Sequence, residues 1–164
     1  MYSGESKSTE MPFETYKQII DENDGEFELQ LEGGEPLLNR NIYLFIEYAI
    51  STQRCKKVIV LSNGIVLKDN IKRLVELHKW YNVPFEIKVS VNYWLLKVNK
   101  NHLQNIADIV FATNYIPDFN IYLNTRKRKD DAWIDEEIAK YGLSEINHSF
   151  FLQSYGKMTG NKNY

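Results

Sequence analysis

LQLEGGEPLL, residues 29–38, is the stretch on which the reading of this chain turns. An alternating, partly apolar run stops abruptly at Glu32-Gly33-Gly34-Glu35-Pro36, and a helix-like pattern follows. Two glycines let the backbone take positive φ or approach a ligand closely. Pro36 removes a donor and fixes the chain direction. On these residues alone two readings stand side by side. One is a tight turn between a strand and a helix with no ligand; the other is a turn whose bare peptide groups bind an amino group or an anion.

Working outward, short apolar runs recur at intervals of about 30 residues, the size of a βα module. They are FELQL from Phe27, KVIVL from Lys57, FEIKVSV from Phe85, FNIYL from Phe119 and HSFFLQ from His148. Each is rich in Val, Ile, Phe or Tyr and bounded by Gly, Asn, Asp or Pro, which is the pattern of a strand. Between them the period becomes helical. Pro12 opens a segment carrying Phe13, Tyr16, Ile19 and Ile20; Ile42, Phe45, Ile46 and Ala49 mark a second. Ile71, Leu74 and Val75 follow Asp69 as an expected cap. Leu103, Ile106, Ala107 and Val110 form the next, and Ile134, Ile138 and Tyr141 the last, with its stop at Gly142. The expected order is one helix, four βα units and a final strand, hence a parallel sheet with right-handed crossovers. Such a sheet is either doubly wound or part of a barrel, and both place their sites at the C-terminal ends of the strands.

Composition sets the limits. The 164 residues, 43% hydrophobic and 26% charged with a net charge of −2, describe one globular domain with no general pull toward nucleic acid or anionic membrane. No apolar run approaches the roughly 20 residues of a membrane helix, and the polar MYSGESKSTEM lacks a signal-peptide core. The expected compartment is the cytoplasm. The single cysteine, Cys55, rules out an internal disulfide and a cysteine-rich metal site. It reads as a small residue at a strand entrance, although Arg54, Lys56 and Lys57 would favour a thiolate.

The strand ends carry the functional signal. After GGEP come Ser62-Asn63-Gly64, then Ser90 and Asn92, then Asn124 and Arg126, then Gln153, Ser154, Tyr155 and Gly156. Residues two apart on a strand share a face. Amides and hydroxyls at five successive ends describe a polar cup suited to ribose hydroxyls, an amino group and a carboxylate. His78 and His102 fall on helical segments away from the strand mouths, and His148 opens the last strand, at the wrong end for the site. A histidine metal centre is therefore not expected. Trp80, Trp94 and Trp133 read as packing residues, although Trp94 follows Asn92 and would be placed to flank an adenine. TRKRKDD, 125–131, reads as a solvated loop, or as Arg126 pointing inward with Lys127, Arg128 and Lys129 meeting an acidic peptide or phosphate.

With GGEP at 33–36, SNG at 62–64, the Ser90/Asn92 pair in KVSVNYW and the closing SFFLQSYG at 149–156, the chain resembles the radical S-adenosylmethionine (SAM) enzymes. Within them it is similar to the small-barrel members that act on peptides, proteins or other enzymes. The resemblance covers about residues 10–157 and is carried by GGEP and SNG lying in successive modules. It implies an α/β fold, a partial (β/α)6 TIM-like barrel of parallel strands whose first strand is missing. Residues 1–157 would form one truncated core domain and 158–164 a polar tail. The resemblance implies that Gly33, Gly34, Glu35 and Pro36 meet the methionine amino group of SAM. It makes Ser62, Asn63, Ser90, Asn92 and Arg126 candidates for the ribose and carboxylate.

The family reaction needs a 4Fe–4S cluster on a Cys-x3-Cys-x2-Cys loop after the first barrel strand. No such loop occurs here, and one thiolate cannot hold a cluster. By the resemblance, the missing cysteines would lie immediately before Met1. The expectation is thus the SAM-binding portion of a radical SAM oxidoreductase acting on a peptide or protein, truncated and inactive alone. The first visible strand would have a free edge, covered by an N-terminal segment, a second chain or dimerisation. The alternatives are a degenerate barrel serving as a binding or assembly module, and a doubly wound nucleotide-binding protein whose GGEP is coincidental.

Overall fold

The computed structural model describes residues 10–152. Helix α1 (Phe13–Asp21) leads into strand β1 (Phe27–Leu31), a 3-10 turn at Pro36–Leu38 and α2 (Ile42–Ser51). Then come β2 (Cys55–Ser62), α3 (Leu67–Tyr81), β3 (Phe85–Asn92), α4 (Tyr93–Val98), α5 (His102–Thr113) and β4 (Phe119–Lys127). Helix α6 (Trp133–Lys140), a second 3-10 turn at Ser144–Ile146 and β5 (Asn147–Phe151) complete the described order. The alternation expected from the sequence is thus present, and Gly142 ends the last helical segment with φ of +71°.

The five strands pair in parallel in the order β1-β2-β3-β4-β5. Right-handed crossovers that always step in the same direction place their helices on one face of the sheet. A doubly wound sheet reverses its strand order and has helices on both faces; no reversal occurs among the described strands. Burial follows the same division. Leu29 and Leu31, Val58 and Val60, Phe85, Ile87, Val89 and Val91, and Phe119, Ile121 and Leu123 form buried alternating rows against the helices. Each such side chain contributes about 1.5–3 kcal/mol by leaving water. Ile46, Ala49, Leu74, Ile106, Ile134 and Ile138 meet them from the helix layer, all fully buried. Helix α1 joins through Tyr16, which stacks on Phe45 with ring centroids 4.4 Å apart and donates its hydroxyl to the Phe45 carbonyl at 2.9 Å.

The opposite face is mostly polar and half open, with buried Ile59 and half-buried Leu61 of β2 as its apolar centre. Glu28 and Gln30 of β1, Lys57 of β2, Glu86, Lys88, Ser90 and Asn92 of β3, and Asn120, Tyr122, Asn124 and Arg126 of β4 alternate with the buried rows. Lys57 and Lys88 both pair with Glu86, Lys88 at 2.9 Å. Burial alone would raise the Glu86 carboxyl, but the two ammonium groups hold it below the usual range.

Several local expectations are corrected. Helix α3 begins at Leu67 after Val66, so Asp69 lies within the first turn, where a carboxylate favours the helix dipole, and is not the cap. Ile19 is 52% exposed, and α1 buries Tyr16 and Ile20 instead. Trp80, Trp94 and Trp133 are surface residues, 83%, 56% and 39% exposed, so the packing role expected of them does not hold. Helix α4, directly after β3, had no counterpart in the sequence reading.

Candidate functional site

The two glycine turns meet at the C-terminal ends of β1 and β2. Glu35 stands in extended conformation before the turn Pro36–Leu38, and its carboxylate accepts from the Leu37 N–H at 3.2 Å. The same carboxylate accepts from the Ser62 hydroxyl at 3.0 and 3.1 Å and from the Asn63 N–H at 2.6 Å. Ser62 in turn accepts from the Gly64 N–H at 2.9 Å. One anion therefore binds both turns with charge-assisted hydrogen bonds, about twice as strong as neutral ones. A carboxylate offers about four lone-pair sites; each oxygen here has two polar neighbours, because the Ser62 hydroxyl stands within reach of both while Leu37 N–H and Asn63 N–H take one each.

The glycines of these turns differ. Gly33 has φ of +148°, and a Cβ built on Gly33 or Gly34 meets no atom within 4 Å. Nothing among the described residues crowds them, so the absence of side chains there leaves bare backbone facing open space. Gly64 is the reverse. Its φ is +79°, and a Cβ would lie 2.7 Å from Val89 Cγ1 and 2.8 Å from His102 Cε1.

His102 is the residue that sequence reasoning misplaced. It opens α5 but is wholly buried beneath the strand mouths, with Nε2 3.0 Å from the Ser90 carbonyl. Since a carbonyl only accepts, Nε2 carries the proton and Nδ1 is left as an acceptor with no partner among the described residues. Burial holds its pKa below the ordinary histidine value. His78 does sit between helix and sheet, buried, with Nδ1 2.8 Å from the Val83 carbonyl.

The other sequence-derived residues divide by orientation. Ser62 is buried, 1% exposed, and its hydroxyl is used by Glu35 and Gly64. Asn63 accepts from the Ile65 N–H at 2.9 Å, and Asn92 caps α4 by accepting from the Leu95 N–H at 3.0 Å. These bonds occupy the amide oxygens and leave the NH2 groups. Ser90 and Asn92 on β3 lie in register with Asn124 and Arg126 on β4, so the four polar side chains share the helix-free face. Pro36 is buried in the turn. Gln153, Ser154, Tyr155 and Gly156 lie outside the described residues.

The basic run is largely internal to the fold. Lys127 lies on the helix side, 6% exposed, and pairs with Asp135 of α6. Arg128 pairs with the buried Asp131 through two bonds of 2.8 Å and lies 4.0 Å from the Tyr93 ring. The Arg128 bonds hold the Asp131 carboxyl below the usual range. The expected contact of Lys127 and Arg128 with a substrate is therefore replaced by structural pairing; Arg126 and Lys129 are the exposed cations of the run.

The donor set does not fit an iron–sulfur cluster. Cys55 is 4% exposed at the start of β2, burial pushes its thiol up, and no group of three metal-ligating side chains occurs among the described residues. No helix among them is long and apolar enough to cross a membrane. Compared with protein-family models and with curated proteins, the chain matches none.

Proposed function

We propose that this chain is the SAM-binding portion of a radical SAM oxidoreductase acting on a peptide or protein, and that its sheet is part of a (β/α)6 barrel. The observation that carries the reading is the Glu35 junction. A half-buried carboxylate joining both turns stands beside the open backbone of Gly33 and Gly34, at the C-terminal ends of adjacent parallel strands. An amino group would pair its charge with the carboxylate, while the free NH2 groups of Asn63 and Asn92 and the Ser90 hydroxyl offer contacts to ribose and carboxylate oxygens. The strand order supports a barrel over a doubly wound sheet. Cluster chemistry has no ligands in this chain, so its own role is confined to holding SAM, and activity depends on thiolates supplied from elsewhere. A partner strand at the edge of β1 belongs to the same proposal. The buried lone cysteine favours a second reading, a barrel that binds SAM or a partner without chemistry.

Calorimetric titration of the purified chain with SAM, with S-adenosylhomocysteine alongside, tests the reading. Saturable binding that is weakened at least about tenfold by Gly34→Ala, a loss of ~1.4 kcal/mol, is expected. Gly34 has space for a methyl group in the protein itself, so such a loss reports a ligand against the backbone. No saturation at ~1 mM SAM overturns the proposal.

A further inference from the structure

His148 stands where its position in the sequence conceals it. Strand β5 begins opposite Leu123, four residues into β4, so His148 pairs with Asn124, and Asn124 pairs with Ser90. The first residues of β5 thus lie level with the last third of β3, and the expectation that His148 is at the wrong end for the site is corrected. Its ring packs edge-on against Tyr122, centroids 5.3 Å apart. One level up, Asn92, Arg126 and Phe150 form the next row. The side chains of Arg126, Asn124 and Ser90 have no hydrogen-bond, ion-pair or ring partner among the described residues, and Arg126 and His148 are exposed.

These groups lie apart from the Glu35 junction. Strands are spaced about 4.8 Å, so β3 is about 10 Å from β1 along the sheet, whereas β4 and β5 are about 14 and 19 Å away. A ligand anchored at Glu35 reaches Ser90 and Asn92 first. Charge follows the same division. Glu28, Glu32 and Glu35 lie on the β1 side, while Lys88 and Arg126 lie on β3 and β4, with Glu86 already shared by Lys57 and Lys88.

We infer that Arg126, Asn124 and His148, with Ser90 at their margin, form an oxyanion subsite on β4 and β5 that receives a carboxylate or phosphate of the substrate. Arg126 supplies a planar fork matched to an oxyanion. Asn124 and Ser90 supply neutral donors, and His148 gains affinity for the anion when it is protonated. That the anion belongs to the substrate rests on the SAM reading above; the preference for an oxyanion does not.

The test follows the histidine ring resonances of the full chain by NMR at fixed pH as inorganic phosphate, acetate or chloride is added at matched ionic strength. His148 is assigned from its loss in His148→Asn, while buried His78 and His102 serve as internal references. The expected result is a saturable movement of the His148 ring resonances in phosphate, acetate or both, absent in chloride and abolished by Arg126→Gln. The stronger arm distinguishes a phosphorylated from a carboxylate-bearing substrate. A shift that equals the chloride control, never saturates or survives Arg126→Gln overturns the subsite. SAM binding by the parent chain alongside such a failure leaves the Glu35 reading intact; no SAM binding by a parent chain with a working anion site overturns that reading alone, and loss of SAM binding in Arg126→Gln overturns the assignment of the subsite to the substrate.

Discussion

Replacing Gly64 with alanine perturbs one atom at the place where three elements converge. The new Cβ would stand 2.7 Å from Val89 Cγ1 on β3 and 2.8 Å from His102 Cε1 on α5, both below any real Cβ contact. Neither neighbour has room to retreat, since Val89 and His102 are both wholly buried. The φ of +79° adds a cost of about 1–2 kcal/mol for an L-residue, and overpacking a buried site adds about 1–3 kcal/mol. The sum is about 2–5 kcal/mol, a large part of the ~5–15 kcal/mol that holds a domain together. In urea, with a slope of about 2 kcal/mol per molar, the midpoint should fall by about 1–2.5 M. Gly34→Ala is the control and should stay within about 0.5 kcal/mol of the parent. A loss below about 0.5 kcal/mol for Gly64→Ala would refute the packing argument at this turn.

Three further outcomes are expected. Glu35→Ala should cost about 2–4 kcal/mol, because it leaves the Asn63 N–H and the buried Ser62 hydroxyl without their acceptor; in a double-mutant cycle with Ser62→Ala the two losses should fall well short of additivity. His102 has a folded-state pKa below its unfolded value of about 6.5, so the folded state binds fewer protons. The stability it contributes is complete above that pH and is lost as pH falls from there toward the folded pKa; denaturation midpoints of His102→Gln should show a smaller drop over that window, and equal drops would count against it. Cys55, buried with its thiol pushed up, should react with iodoacetamide at least about a hundredfold more slowly in the folded chain than in urea.

The strands were legible because their period-2 burial is written in FELQL and FEIKVSV, whose alternating side chains need no tertiary information to interpret. Strand order was not legible, and that order separates a one-sided sheet from a doubly wound one. Register was hidden for the same reason. Nothing near His148 records that β5 starts opposite Leu123. The charge run misled because β4 continues through Lys127, so the alternation persists under residues that look like a loop, and Lys127 turns toward Asp135. Helix α4 was missed because six residues are too few to display a helical period; its cap, Asn92, was read only as a ligand donor. His102 was judged by its helix, while its environment is set by Gly64 and the Ser90 carbonyl from two other modules. Of the candidate site, residue identities were accessible from sequence, but which polar atoms the fold itself consumes was not.

The bond from the Asn63 N–H to Glu35 turns one backbone amide into a gauge of the site. A loop proton held at 2.6 Å by a carboxylate is deshielded and exchanges slowly with solvent water; its neighbours Gly64 and Ile65 donate to neutral oxygens instead. An incoming ammonium group competes for the same oxygen electrons, so ligand arrival weakens that bond and moves the resonance upfield. Occupancy at the Glu35 junction is therefore readable from a single unlabelled reporter already built into the chain, before any reaction takes place.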